Sequence, residues 1–242
     1  MQIGQYAMNT DRIAGRQLPR PLQRRLYLPA YSVQEAAYLA GTTRETVTRW
    51  CLGYSSRGHR LPAVIKGKQP WKPLSYLELV EVAFAATCRN LGMTLQRIRK
   101  AHDYLAKNFQ EDYPFAAFKL TVNGAHILKD LQEIEGESIP LIVADEHGQL
   151  GWSPMVADRI DQFVWEFDVA MPWFPRGKSM RIMLDPRISF GAPTVADTGI
   201  STWTFRERYE AGETIDEIID DFQVQRADVL LALEFEGIKI AA

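Results

Sequence analysis

Apolar positions in the first half of the chain recur at helical spacing, broken by short turn signals. Ser32 precedes Val33, Ala36, Ala37 and Ala40, and Glu35 lies three residues after it. A hydroxyl and a carboxylate so placed can serve the free backbone donors of a first turn reciprocally. Gly41 ends this segment, and Thr42 or Thr43 can cap a second one whose inward face is Val47 and Trp50. The pattern predicts two short helices joined by a tight turn. Ala36 and Ala37 are small enough to let them pack closely, as a helix-turn-helix requires. The stretch GYSSRGHRLPAVIKGKQPWKP follows, rich in Gly, Pro and cations. Its alternation from Leu61 to Ile65 and its Lys66-Gly67-Lys68 turn predict a β-hairpin wing. Ser75 and Glu78 repeat the capping pattern ahead of the apolar run SYLELVEVAFAATCRNLG, which Gly92 stops. Thr94 opens another helix, with Leu95, Ile98, His102 and Leu105 on one stripe and Arg97, Arg99 and Lys100 largely opposite. This pair would brace the reading unit and could supply a dimer seam.

From Phe115 the period shortens. Asn123-Gly124 between alternating apolar runs predicts a two-residue hairpin. The segment SPMVADRIDQFVWEFDV begins as a helix and passes into an aromatic strand, and SMRIMLDP is a further strand candidate. Residues 109–184 therefore read as a small α+β connector, in which Trp165, Phe167, Trp173 and Phe174 are core aromatics or the lining of a ligand pocket. Residues 185–242 open with a Pro- and Gly-rich strand and turn. A helix then runs near Trp203 to Ala211 and stops at Gly212, a second starts at a Thr214–Glu217 capping box, and a third occupies Arg226 to Glu236. Ile215, Ile218 and Ile219 on one, with Val229, Leu230 and Leu233 on another, give apolar faces that should pack as a trihelical unit. The expected fold class is mainly α with small β elements. A basic leader (1–30) precedes a winged helix-turn-helix domain (31–108), the α+β connector (109–184) and a C-terminal trihelical domain (185–242).

Charge sharpens this division. Residues 1–108 carry 17 Lys and Arg against 6 Asp and Glu, a net +11, while residues 109–242 carry 11 against 24, a net −13. A cationic half suits a polyanion and an anionic half is repelled by one, so the first half is the expected DNA-binding half. On the second helix of the pair, Thr43, Arg44, Glu45, Thr48 and Arg49 point outward and are the candidate base readers. Arg can take guanine O6 and N7 bidentately, and Thr can bond a base edge or press its methyl on thymine. Arg57, His59, Arg60, Lys66, Lys68 and Lys72 on the wing are candidate phosphate contacts. In the leader, Arg12, Arg16, Arg20, Arg24 and Arg25 are interrupted by Pro19 and Pro21, which argue against a continuous helix.

Other chemistry is sparse. Cys51 and Cys88 lie in no Cys/His cluster and read as packing thiols. His102 on an apolar stripe reads as a core histidine. Asp216, Glu217, Asp220 and Asp221 read as the solvated face of a helix, and there is no phosphate loop or nucleophile elbow. No catalysis, cofactor or metal is expected, and the lack of a signal-like or spanning apolar run points to a cytoplasmic protein without membrane contact.

Two resemblances follow from these motifs. Residues 31–108, through SVQEAAYLAGTTRETVTRW, the basic segment and LSYLELVEVAFAATCRNLGMTLQRIRKA, resemble the DNA-binding domain of the MerR family. They lack that family's long dimerisation helix and its metal-binding cysteines. The C-terminal section resembles a short antitoxin-like domain of toxin-antitoxin operons, carried by Asp185, Pro186, Gly191, Pro193, Val195, Thr198, Ile200, Gly212, Thr214, Glu217 and Ile218. It departs from that pattern at Gly199, often basic, and at Gln225, usually a Ser or Thr cap. The combination is similar to the larger VapB-type antitoxins. That resemblance implies a PIN-domain, VapC-type ribonuclease as partner, whose carboxylate-held Mg²⁺ an antitoxin cation could displace.

The expectation is thus a homodimeric antitoxin that represses its own operator and neutralises a toxin mainly through the acidic half. On this reading, removal of residues 185–242 would leave DNA affinity largely intact. The alternative is a MerR-like regulator that senses a small ligand through the middle segment.

Overall fold

The computed structural model describes residues 18–56, 58–65, 72–117, 142–144, 150–152 and 161–240. Helices dominate and the strands are short and antiparallel, in keeping with a mainly α chain carrying small β elements. The first helix, α1 (Arg20–Tyr27), lies within the basic leader. Pro21 sits in its first turn, where the missing N–H has no intrahelical partner to lose, so proline starts the helix instead of preventing it. Leu22 and Leu26, one turn apart, are its buried face.

Helices α2 (Val33–Leu39) and α3 (Arg44–Leu52) form as the capping pattern predicts. Ser32 and Glu35 close a reciprocal capping box, and the Thr43 hydroxyl accepts from the Thr46 N–H. Ala36, Ala37, Val47 and Trp50 are all buried between them. Strands β1 (Tyr54–Ser56) and β2 (His59–Leu61) make a two-stranded ribbon with Ser56 opposite His59. The alternation read from Leu61 to Ile65 leaves only Leu61 in a strand, and the Lys66-Gly67-Lys68 turn lies outside the described residues. The chain reverses at the two residues between Ser56 and His59, and strand pairing ends at Leu61 because Val64 and Ile65 turn inward, both donating to the Trp50 carbonyl at 2.7 and 3.1 Å.

Helix α4 (Tyr76–Asn90) is the central strut: every residue from Tyr76 to Cys88 is buried. Helix α5 (Leu95–Phe109) and the short α6 (Pro114–Ala117) pack on it. Two buried carboxylates on α4 are engaged. Glu78 caps Ser75, while Glu81 Oε1 accepts from Phe115 and Ala116 N–H at 2.7 and 2.9 Å and its Oε2 lies 2.9 Å from His102 Nε2. Helix α4 is covered within the chain from Tyr76 to Cys88, and Arg97, expected opposite the apolar stripe of α5, is itself buried.

Strands β3 (Ile142–Ala144) and β4 (Leu150–Trp152) pair with each other. The Asn123-Gly124 hairpin and the start of SPMVADRIDQFVWEFDV lie outside the described residues. Strands β5 (Phe163–Glu166), β6 (Val169–Trp173), β7 (Ile182–Leu184) and β8 (Pro193–Val195) form one sheet in chain order, running from the connector into the C-terminal section. Helices α7 (Thr202–Glu210), α8 (Ile215–Phe222) and α9 (Arg226–Phe235) pack on one another, and α7 and α9 also pack on β8. Phe205, Ile218, Val229 and Leu233 close this unit, and the buried residues of both halves form one continuous cluster.

Candidate nucleic-acid interface and the C-terminal unit

The turn between α2 and α3 is held by backbone bonds from Gly41 N to Tyr38 O and from Thr42 N to Ala37 O, at 3.2 and 2.9 Å. It presents Thr43, Arg44, Glu45, Thr48 and Arg49 as exposed residues on one short helix. Their hydroxyls and charges are not equivalent. Thr43 Oγ1 lies 2.8 Å from Thr46 Oγ1 as part of the cap, and Thr48 Oγ1 donates to the Arg44 carbonyl at 2.9 Å. Arg49 pairs with Glu45 at 3.9 Å, one turn back, and its guanidinium lies over the Tyr54 ring at 5.6 Å, leaning toward the ribbon.

His59 and Arg60 are exposed on β2 and Lys72 is half-buried, whereas Arg57, Lys66 and Lys68 lie outside the described residues. The root of the ribbon is tightly built. Gly53 caps α3 with φ +73°, and a Cβ there would stand 2.5 Å from the Leu61 carbonyl oxygen. Arg99 is not a free surface cation, since its Nε donates to the Pro62 carbonyl at 3.2 Å and ties α5 to the ribbon's exit.

The C-terminal motif residues have structural tasks. Asp185, buried, accepts from the Arg187 N–H at 2.8 Å and from its guanidinium, and Arg187 also reaches Glu166. Gly191, with φ +83°, leaves room for the Tyr31 ring, whose hydroxyl donates to the Gly191 carbonyl at 2.7 Å. Thr198 shapes the turn after β8 by donating to Val195 O and accepting from Ile200 N, at 2.9 and 3.0 Å.

On α8 the acidic residues are largely spoken for. Asp216 pairs with Arg226, Asp221 pairs with Arg208, and Glu217 closes the capping box with Thr214. The Thr214 backbone and hydroxyl bonds hold the Glu217 carboxyl below its usual range. Gln225 makes no side-chain cap on α9. Trp173 is buried against Phe163 in a stacked pair, and Phe167 is exposed at the β5–β6 turn. Cys51 and Cys88 are buried thiols, and burial pushes Cys88 up to about 12. No cluster of metal-ligating side chains occurs among the described residues, and no helix there is long and apolar enough to cross a membrane.

Several side chains that join the two halves carry no local sequence signal. Arg176 donates to the Tyr38 and Leu39 carbonyls at 3.0 and 3.3 Å, and its guanidinium lies 5.1 Å from the Tyr38 ring and 5.9 Å from that of Phe235 on α9. Tyr38 in turn donates to the Phe235 carbonyl. Arg25 of α1 donates to the Arg187 carbonyl at 2.9 Å and sits over Phe190. Each of these hydrogen bonds joins positions more than 130 residues apart, beyond the reach of any local pattern.

The chain is similar to known proteins. Residues 182–235 match the family described as a protein of unknown function, DUF433. Over 220 residues the chain is 27% identical to a Mycobacterium tuberculosis protein described as "Putative antitoxin VapB45", an alignment that covers 84% of this chain and 92% of that protein. The X-ray crystal structure of Rv2018 from Mycobacterium tuberculosis has the same fold, with a TM-score of 0.65 at 24% identity, covering 85% of this chain and 97% of that one.

Proposed function

We propose that this chain is a non-catalytic antitoxin that neutralises a cognate PIN-domain, VapC-type ribonuclease and binds its own operator DNA as a homodimeric autorepressor. The observation that carries the reading is the likeness to VapB45, which extends over most of both chains. The DNA-binding part is supported by the exposed row Thr43, Arg44, Glu45, Thr48 and Arg49 on a short helix braced by its neighbour, with His59 and Arg60 on the ribbon beside it. Such a row fits the major groove, and flanking cations fit the phosphates on either side. One short helix reads few bases, so paired half-sites on a homodimer supply the affinity that a promoter-specific repressor needs. The toxin-binding part falls to the C-terminal unit, whose excess of carboxylates would be repelled by DNA but not by a basic protein surface.

The test is purification of the tagged full-length chain from its native host. A ribonuclease from the neighbouring reading frame is expected to copurify, inactive until separated from the chain. If that protein is abundant in the lysate but does not bind, the antitoxin reading fails. In a gel shift on the chain's own promoter, Arg44→Ala with Arg49→Ala is expected to abolish selectivity over random DNA. Full selectivity in that variant removes α3 as the reader.

A further inference from the structure

Building on the DNA-binding reading, we infer that Thr48 reads a thymine through its methyl group, one or two base steps from a guanine read by Arg44. The hydroxyl of Thr48 has a single proton, and it is already donated to the Arg44 carbonyl at 2.9 Å along the helix. That bond commits the oxygen to the backbone and leaves the Cγ2 methyl as the side-chain group without a hydrogen-bonding task, on an exposed residue. In the major groove only thymine offers a methyl for such a group to press on.

The spacing fixes the partner position. Arg44 and Thr48 are four residues apart and therefore lie on one face of α3, displaced along its axis by about 6 Å. Successive bases on a strand are about 3.4 Å apart, so two side chains so displaced meet bases one or two steps apart. The other polar side chains of the segment are otherwise engaged. Thr43 and Thr46 are committed to the helix cap, and Arg49 leans onto Tyr54 on the ribbon side with Glu45 one turn back. Within α3 this leaves Arg44 as the hydrogen-bonding reader and Thr48 as the apolar one.

The experiment is selection of the full-length chain on a duplex library with a randomised central segment. It is run for the wild type, Thr48→Val and Thr48→Ser, and followed by affinity measurements on the selected site with its thymine replaced by uracil. Valine keeps a methyl at this position and removes the hydroxyl; serine does the reverse. The wild type and Thr48→Val are expected to select a site with a guanine and a thymine within two steps, and uracil should weaken both about fourfold, the worth of one buried methyl. Thr48→Ser should keep the guanine, lose the thymine preference and become indifferent to uracil. A selected site without that thymine, a thymine preference lost in Thr48→Val, or one kept in Thr48→Ser would each overturn the inference while leaving α3 as the reader. Enrichment of no sequence at all would instead bring down the DNA-binding reading and this inference with it.

Discussion

At the residue scale, the two halves are joined by tyrosine hydroxyls that reach backbone carbonyls deep in the molecule. Tyr31 donates to Gly191 across 160 positions of sequence, and Tyr76 donates to Ala170 at 2.9 Å and to Leu184 at 3.3 Å. Burial raises the proton affinity of both, with the carboxylates of Glu35 and Asp185 adding to it at Tyr31; Tyr113 is raised by burial and by Glu78, and Cys88 by burial to about 12. The consequence for alkaline stability has a definite direction. As pH rises above about 9 the unfolded chain sheds these protons first while the folded chain keeps them, so stability falls from there upward. A titration followed by tyrosinate absorbance and far-ultraviolet circular dichroism is expected to show the buried tyrosines Tyr31, Tyr76 and Tyr113 ionising only in the step in which helix is lost. Complete tyrosinate absorbance over an intact helical signal would contradict this. None of these contacts was legible in the sequence. A tyrosine's partner is set by where the chain returns, not by its neighbours; spacing shows only which residues turn inward, as with Ala36, Ala37, Val47, Trp50, Ile98, Ile218, Val229 and Leu233.

At the scale of elements, legibility follows the range of the forces involved. Capping is decided within four residues, and the boxes at Ser32–Glu35, Ser75–Glu78 and Thr214–Glu217 all close as their spacing predicts. The helical run of α1 and the place where the ribbon turns carry no such local signal, because tertiary partners decide them. Leu22 and Leu26 make α1 helical by burying against the core, and the ribbon's register is fixed where Val64 and Ile65 fold back on the end of α3. The ribbon root offers a sharp contrast between two glycines. Gly53 and Gly58 both have left-handed φ, +73° and +79°, but a Cβ meets Leu61 O, Ala63 N and Pro62 C at the first and nothing within 4 Å at the second. Gly58→Ala should therefore cost about 1–2 kcal/mol for the backbone alone, and Gly53→Ala several kcal/mol, because the strands must also part. Calorimetric unfolding of the two variants decides the matter: equal losses would mean that the ribbon is free to shift at its root. A gel shift should show Gly53→Ala losing affinity evenly across sequences, as expected when positioning contacts move rather than base contacts.

At the scale of the whole molecule, the charge division along the chain does not coincide with a division of the fold. Arg176 clasps the end of α2 between Tyr38 and Phe235, Arg25 clasps the loop after β7, and the sheet β5–β8 passes through position 185 without a break. Much of the C-terminal acidity is spent within its own unit, as in Arg226 with Asp216 and Arg206 with Glu236, both at 2.7 Å. This arrangement reverses the expectation that residues 185–242 can be removed at little expense to DNA binding. A chain ending at 184 would strip β8 from β7, where Ile182 pairs with Val195 and Leu184 with Pro193, and would bare two side chains that are fully buried. It would also leave the Tyr31 hydroxyl in the interior without its acceptor, at about 1–3 kcal/mol, on top of the apolar area returned to water. The 1–184 fragment is therefore expected to bind a hydrophobic dye, to melt without a cooperative transition and to lose operator affinity together with its fold. Arg176→Ala, which removes one clasp and leaves the sheet whole, should melt cooperatively at a lower temperature. If the fragment melts as sharply as the full chain and binds DNA as tightly, the halves are separate bodies and the tethers through Tyr31, Tyr38 and Arg176 contribute nothing to holding α3 in place.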